Sequence, residues 1–291
     1  MDRRRHLASI AALAAGAIAP ATSRAAEPGP LRIGLTPVFL DNQITLLNAW
    51  RGYLQDALDG PVQFVQRGTY REIVDALRGG GLDFGWICGY PYVRHASELG
   101  LVAVPLYAGA PLYRSYLIVP ESDTRARSIL DLRGGVFAYS DPDSNSGYLY
   151  PTYALVRLQE RPDAFFRRTF FTWAHRSVVD AVAAGLADGG AVDGYVWETL
   201  ARTDSTGARR TRVIARSQPF GFPPFVGHAR LPKAKIERLR AALIGMGRDE
   251  RGRRLLAQLN LDGFTAGETA LFDGIRQMVA ATRGVAGAAV S

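Results

Sequence analysis

The sequence predicts an α/β protein of two lobes with a ligand cleft between them. Three observations carry this. Short β-type runs alternate with helically spaced runs from residue 31; the rhythm stops at a long β-type run ending in Pro120 and then restarts; and a second extended passage, roughly 215–226, returns the chain before three closing helices. Of the 291 residues, 47% are hydrophobic, enough to bury a full core as one large or two smaller domains. The restart of the pattern chooses two.

Leu31–Thr36 is the first strand. Gln43–Leu58 reads as a helix because Ile44, Leu47, Trp50, Leu54 and Leu58 recur at helical spacing. Val62–Gln66 is a strand, Tyr70–Arg78 a helix carrying Ile73, Val74 and Leu77 on one face, and Leu82–Cys88 a strand. Pro91–Leu99 is predicted helical and Leu101–Tyr107 a fourth strand, so this half is expected to hold a largely parallel sheet. After the run Tyr113–Val119 come a short helix at Ser128–Leu132, the strand Gly135–Tyr139, a polar turn with a helix from Ser146, the strand Thr169–Trp173, the helix Ser177–Leu186 and the strands Ala191–Trp197 and Thr211–Arg216. The prolines of Gln218–Phe225 exclude helix. Lys233–Gly245, Asp249–Leu256 and Gly267–Ala281 close the chain as helices. The expected division is 31–115 for the first lobe, 116–214 for the second, 215–283 for the return to the first, and a flexible tail at 284–291.

Residues 1–25 read as an export signal: Arg3, Arg4 and Arg5, then the Ala-rich apolar run Leu7–Ala19, then the small-x-small site Ser23-Arg24-Ala25. The sequence leaves Sec and twin-arginine export both open, and either places the mature protein in the periplasm. Cleavage removes four arginines and one aspartate and lowers the net charge from +8 to about +5. Arg125, Arg127, Arg209, Arg210 and Arg212 are scattered, without a basic cluster interleaved with aromatics, so they read as a solvated face and not as a nucleic-acid groove. Cys88, the one cysteine, has no disulfide partner, and the four histidines lack ligand spacing. No metal and no cofactor are expected, and the protein is expected to be a monomer.

The stretch with most chemistry is Asp141-Pro142-Asp143-Ser144-Asn145-Ser146-Gly147-Tyr148, a polar turn between a strand and a helix. Ser144 or Ser146 suits an N-cap, and the hydroxyls, the amide and the free backbone N–H groups of a helix start attract an anion without any lysine. On these eight residues alone, a capped turn with no ligand is the simpler reading. Ligands of open α/β sheets sit outside the carboxyl ends of the strands, where this turn lies.

Four segments carry a resemblance: the opening strand Leu31–Thr36; the helix from Tyr70 to Leu77 with the strand Leu82-Asp83-Phe84-Gly85-Trp86; the turn Asp141–Gly147, similar to a "DPxSxSG" motif; and Ala174-His175 followed by Val192-Asp193-Gly194-Tyr195. Together they resemble the periplasmic phosphate/phosphite/phosphonate-binding proteins of ABC importers, within the type 2 periplasmic-binding-protein fold. The resemblance implies a small oxyanion received by Ser144, Asn145 and Ser146, a cleft-lining role for Tyr70, a ligand-side role for His175, and an inner-membrane permease as partner. Read on their own, Tyr70 serves equally as a cover for the sheet edge and His175 as a satisfied structural histidine.

The sequence also departs from that pattern. Arg176 stands where a phosphonate binder has an acid, and Phe222-Pro223-Pro224-Phe225 stands where an aminoalkylphosphonate binder offers an aspartate to the ligand's amine. Tyr90, Tyr92 and Trp197 suggest an aromatic wall, with interlobe packing as the plainer alternative. Glu198 would balance a ligand cation or cap a helix. The leading reading is therefore the solute-binding component of an ABC importer that closes over a small anion. The alternatives are an enzyme on the same fold, disfavoured unless His175 lies against Cys88, and an exported sensor subunit with an aromatic-lined site.

Overall fold

A computed structural model describes residues 29–36, 43–203 and 206–283; the expected signal (1–25) and tail (284–291) lie outside them. The chain runs β1 (Leu31–Leu35), α1 (Ile44–Leu58), β2 (Val62–Gln66), α2 (Tyr70–Arg78), β3 (Phe84–Trp86), α3 (Gly89–Arg94) and β4 (Leu99–Leu106). Next come β5 (Leu112–Tyr113), β6 (Ser115–Pro120), a 3-10 turn at Ile129–Leu132, β7 (Val136–Tyr139), a π-helical turn at Asn145–Leu149, α4 (Tyr150–Arg157), α5 (Pro162–Phe165), β8 (Arg168–Phe171), α6 (His175–Ala183) and β9 (Gly189–Asp193). The chain continues with α7 (Gly194–Arg202), α8 (Thr206–Arg209), β10 (Thr211–Arg216), β11 (Phe220–Gly221), β12 (Phe225–His228), α9 (Lys233–Gly245), α10 (Glu250–Leu259), β13 (Gly263–Thr265) and α11 (Asp273–Ala281). Among the described residues no helix is long and apolar enough to cross a membrane.

Two mixed sheets result. The first has the order β13-β4-β12-β3-β1-β2 and the second β10-β6-β9-β7-β8, while β5 and β11 pair as a two-stranded antiparallel ribbon where the chain passes between the lobes. The expectation of a largely parallel first sheet is corrected. Only β1 with β2 and β1 with β3 are parallel, because the returning strand β12 inserts between β3 and β4 and runs against both. Helix α2 shows how local sequence fixes an element. Thr69 and Glu72 form a reciprocal capping box, and Tyr70, Ile73, Val74 and Leu77 bury one face. In the first lobe Trp86 stacks on Phe225 at 5.4 Å, and Trp50 meets Trp86 edge-on at 5.8 Å. In the second, Phe137 stacks on Phe166 at 4.4 Å.

Several sequence expectations shift. The strand expected at Ala191–Trp197 stops at Asp193, whose carboxylate accepts the Tyr195 N–H at 2.9 Å and starts α7, so Trp197 and Glu198 sit on a helix. The helix expected at Pro91–Leu99 occupies Gly89–Arg94, and β4 already begins at Leu99. The helix expected from Gly267 begins at Asp273, after a left-handed Gly267 (φ 70°) and a 3-10 turn. Helices α5 and α8 and strands β12 and β13 were not anticipated, the sequence having put the last strand at Thr211–Arg216.

Candidate functional site

Strand β7 ends at Tyr139 in the second lobe, between its parallel neighbours β8 and β9. The chain then turns through Asp141, whose carboxylate accepts the Asp143 N–H at 2.7 Å. Ser144 Oγ caps the following turn by accepting the Gly147 N–H at 3.0 Å. Gly147 is required there, because a Cβ would lie 1.9 Å from Ser140 Oγ and 3.1 Å from His175 Cε1. Ser144, Asn145 and Ser146 are all buried.

Groups from both lobes and from the crossing strands converge on this turn. The hydroxyl of Tyr70, the first residue of α2, lies beside Ser144. Cys88 Sγ accepts the Asn145 N–H at 3.2 Å. The Tyr113 hydroxyl accepts from Asn145 Nδ2 at 2.8 Å, and Ser115 Oγ donates to the Ser146 carbonyl at 2.7 Å. His175 opens α6. Its Nδ1 accepts the Asp193 N–H at 3.1 Å, so Nε2 carries the proton and points at Ser144 Oγ, 3.4 Å away. Burial pushes this imidazole down to about 3, which keeps it a neutral donor at physiological pH.

Two features of the cluster bear on a ligand. Ser146 Oγ, beside Tyr113, has no hydrogen-bond partner, and neither has Asn145 Oδ1, although both atoms are fully buried. Such orphans are uncommon because each costs about 1–3 kcal/mol. The second feature is a carboxyl without a cation. Asp193 is buried at the end of β9 and within electrostatic reach of Tyr70, Cys88 and Tyr113. Burial raises its pKa to about 8 despite the backbone N–H groups of Tyr195 and Val196. At neutral pH it is mostly uncharged, so it would not repel an anion at the turn. The groups that Tyr70, Cys88, Tyr113, Ser115 and His175 present to Ser144, Asn145 and Ser146 are likewise neutral.

Of the residues singled out from sequence, the structure brings Ser144, Asn145, Ser146, Tyr70 and His175 together. Tyr90 lies at the edge, with the Arg94 guanidinium 5.5 Å from its ring. The aromatic wall is not assembled. Tyr92 packs edge-on against Phe272 at 4.9 Å. Trp197 Nε1 donates to Thr211 Oγ1 at 3.0 Å, and its ring leans on Tyr116. Glu198 accepts from the hydroxyls of Tyr107 and Tyr116. Cys88, Tyr113, Ser115 and Asp193 were missed as members of the site. Only Asp193-Gly194 left a local signal, that of a helix cap; the other three are delivered by topology.

The arrangement offers no nucleophile and base. Burial raises the Cys88 thiol to about 11, so it remains protonated, and its contacts are Asn145, Tyr90 and Tyr113. His175 Nε2 already holds its proton and cannot accept one from Ser144.

A family model for periplasmic substrate-binding proteins of phosphonate ABC transporters matches residues 33–272. The phosphate-import protein PhnD of Mycolicibacterium smegmatis is 26% identical over 250 residues, covering 80% of this chain and 77% of that one. Among solved structures, a binding-protein component of a Pseudomonas aeruginosa ABC phosphonate transporter superposes with a TM-score of 0.79 at 23% identity, covering 86% of this chain and 85% of the other. Prochlorococcus marinus PhnD1, in complex with methylphosphonate, gives 0.78 at 18% identity, with 87% and 98% covered.

Proposed function

Since the chain belongs to the periplasmic phosphonate-binding proteins of ABC transporters, we propose that it captures a small phosphorus oxyanion (phosphate, phosphite or a phosphonate) at the Ser144–Ser146 turn and delivers it to a membrane permease. The observation that carries this reading is the buried Ser146 hydroxyl, a donor without a hydrogen-bond partner inside a cluster of neutral polar groups; the unpaired Asn145 Oδ1 is an acceptor and would be met only by a protonated ligand oxygen. The Tyr70 hydroxyl lies beside Ser144 and His175 presents Nε2–H to it, which supports a ligand position bounded by both lobes. Hydrogen bonds from fixed neutral donors hold a charged oxygen strongly in a water-poor site.

A ligand without an amine fits best. Phe222, in the segment whose resemblance to aminoalkylphosphonate binders would call for an aspartate, is fully buried against Tyr107, Tyr113 and Tyr195. The protein acts without catalysis, in the periplasm, as a monomer, with lobes at 31–115 plus 215–283 and at 116–214 that close about the two crossings. No divalent metal is required, so binding survives chelation; loss of binding in excess chelator would refute that.

The test is calorimetric titration with phosphate, phosphite and methylphosphonate. Ser144→Ala with Ser146→Ala removes two hydrogen bonds to a charged group, about 3–6 kcal/mol in total, so affinity falls at least about 100-fold. Unchanged affinity in that double variant would sink the site assignment.

A further inference from the structure

Asp143 belongs to the same turn but looks the other way, across the cleft mouth. Its carboxylate accepts from Arg94 Nη1 at 2.8 Å and pairs with Arg71 Nε at 3.5 Å. Arg71 lies on α2 and Arg94 on α3, both in the first lobe, whereas Asp143 is in the second. Next to it, Asp141 accepts the backbone N–H of Tyr70 at 3.1 Å, a further bond between the lobes. Thr69 and Arg71 share a seam pocket with Asp141, Asp143 and Trp173, so the two lobes meet directly at this edge.

We propose that Asp143, gripping Arg71 and Arg94, is the clasp that holds the lobes shut and sets how long the ligand stays; the second half rests on the reading of the turn as the ligand site. Asp143 is thus a positioning residue: it acts on the ligand only through closure. The exposures make the grip reversible. The Asp143 side chain is 9% exposed, while Arg71 and Arg94 are 56% and 42% exposed. An exposed ion pair stabilises little, but a nearly buried carboxylate losing both partners at once is costly. The charged and titratable groups facing Asp143 are Arg71, Arg94, Asp141 and the Tyr90 hydroxyl. The attraction outweighs the one acidic neighbour. Breaking a close charge pair acts mainly on dissociation, and a pair at a surface seam is screened by salt.

The test places one fluorophore on each lobe of the full mature protein and compares wild type, Asp143→Asn, Arg71→Ala with Arg94→Ala, and Arg254→Ala. The last removes a surface arginine paired within α10 and serves as a control. Lobe distances are read with and without inorganic phosphate, and phosphate release is followed by stopped flow. The clasp variants should shift the distances toward an open form and speed release about tenfold, with association changed less than about threefold. Raising salt from about 10 mM to about 0.5 M should speed release in wild type more than in Asp143→Asn. The control should match wild type. Distances and release rates identical in Asp143→Asn and wild type would overturn the clasp. If neither phosphate nor methylphosphonate binds wild type, the ligand reading fails on its own, and the lobe distances still decide the clasp.

Discussion

His175 and Asp193 share one hydrogen bond but respond to pH in opposite directions. Asp193 ionises near 8 in the fold and near 3.8 when unfolded. Below about pH 4 both forms are protonated. As pH rises toward 8 the unfolded chain releases its proton first, so stability falls by up to about 1.4 kcal/mol per pH unit across that window. Asp193→Asn keeps an acceptor for the Tyr195 N–H and should abolish this slope in urea midpoints measured from pH 4 to 8; an unchanged slope would mean that Asp193 is not the group held protonated. His175 works the other way. The unfolded imidazole takes a proton below 6.5, whereas the folded one resists until about 3, so its contribution is lost as pH falls through that range. His175→Gln should reduce acid sensitivity between those limits, and retention of full acid sensitivity would contradict the assignment. Both groups are tuned by burial, so neither shift was visible in the sequence.

The turn from Ser140 to Leu149 is the element on which the proposed ligand capture depends. Its glycine has no room for a methyl group, so Gly147→Ala should destabilise the protein by about 1–3 kcal/mol, as overpacking does, and also displace Ser144 from its cap. Ser140→Gly in the same chain removes the nearest obstructing atoms and should recover part of the loss; no recovery would show that the strain lies elsewhere. The capped polar turn was legible because its information is local, in Ser144, Asn145, Ser146 and Gly147, but the helix expected from Ser146 is a π-helical turn at Asn145–Leu149, and α4 starts only at Tyr150. Helix α9, Lys233–Gly245, falls where the sequence placed it. One local signal was passed over. The run Ala191–Trp197 reads as a strand through its apolar residues, but Asp193, its side chain turned back onto Tyr195, caps a helix that begins inside it. Tyr113 and Cys88 could not be assigned from sequence, since a crossing strand and a neighbouring lobe bring them to Asn145. Tyr92 and Trp197 looked like a wall because aromatic residues do not announce which side they face; Phe272 and Thr211 claim them.

At the scale of the whole molecule, two mixed sheets and a short ribbon between them place one turn of the second lobe against a helix start of the first. The cluster is complete only when the lobes meet, since Tyr70 and Cys88 come from one side and Ser144, Asn145 and His175 from the other. On the proposed reading binding and closure are one equilibrium, in which a ligand that touches both sides would stabilise the closed form by its differential affinity. The most direct measurement is a thermal-shift comparison of the mature protein with phosphate, phosphite, methylphosphonate, sulfate and small carboxylates. A phosphorus oxyanion at about 100 times its dissociation constant should add about 2.7 kcal/mol, a rise of roughly 5–10 °C for a chain of this size, with sulfate and carboxylates giving less. No rise with any phosphorus oxyanion, or a larger one with a carboxylate, would contradict the claim that this turn is a phosphorus-oxyanion receptor.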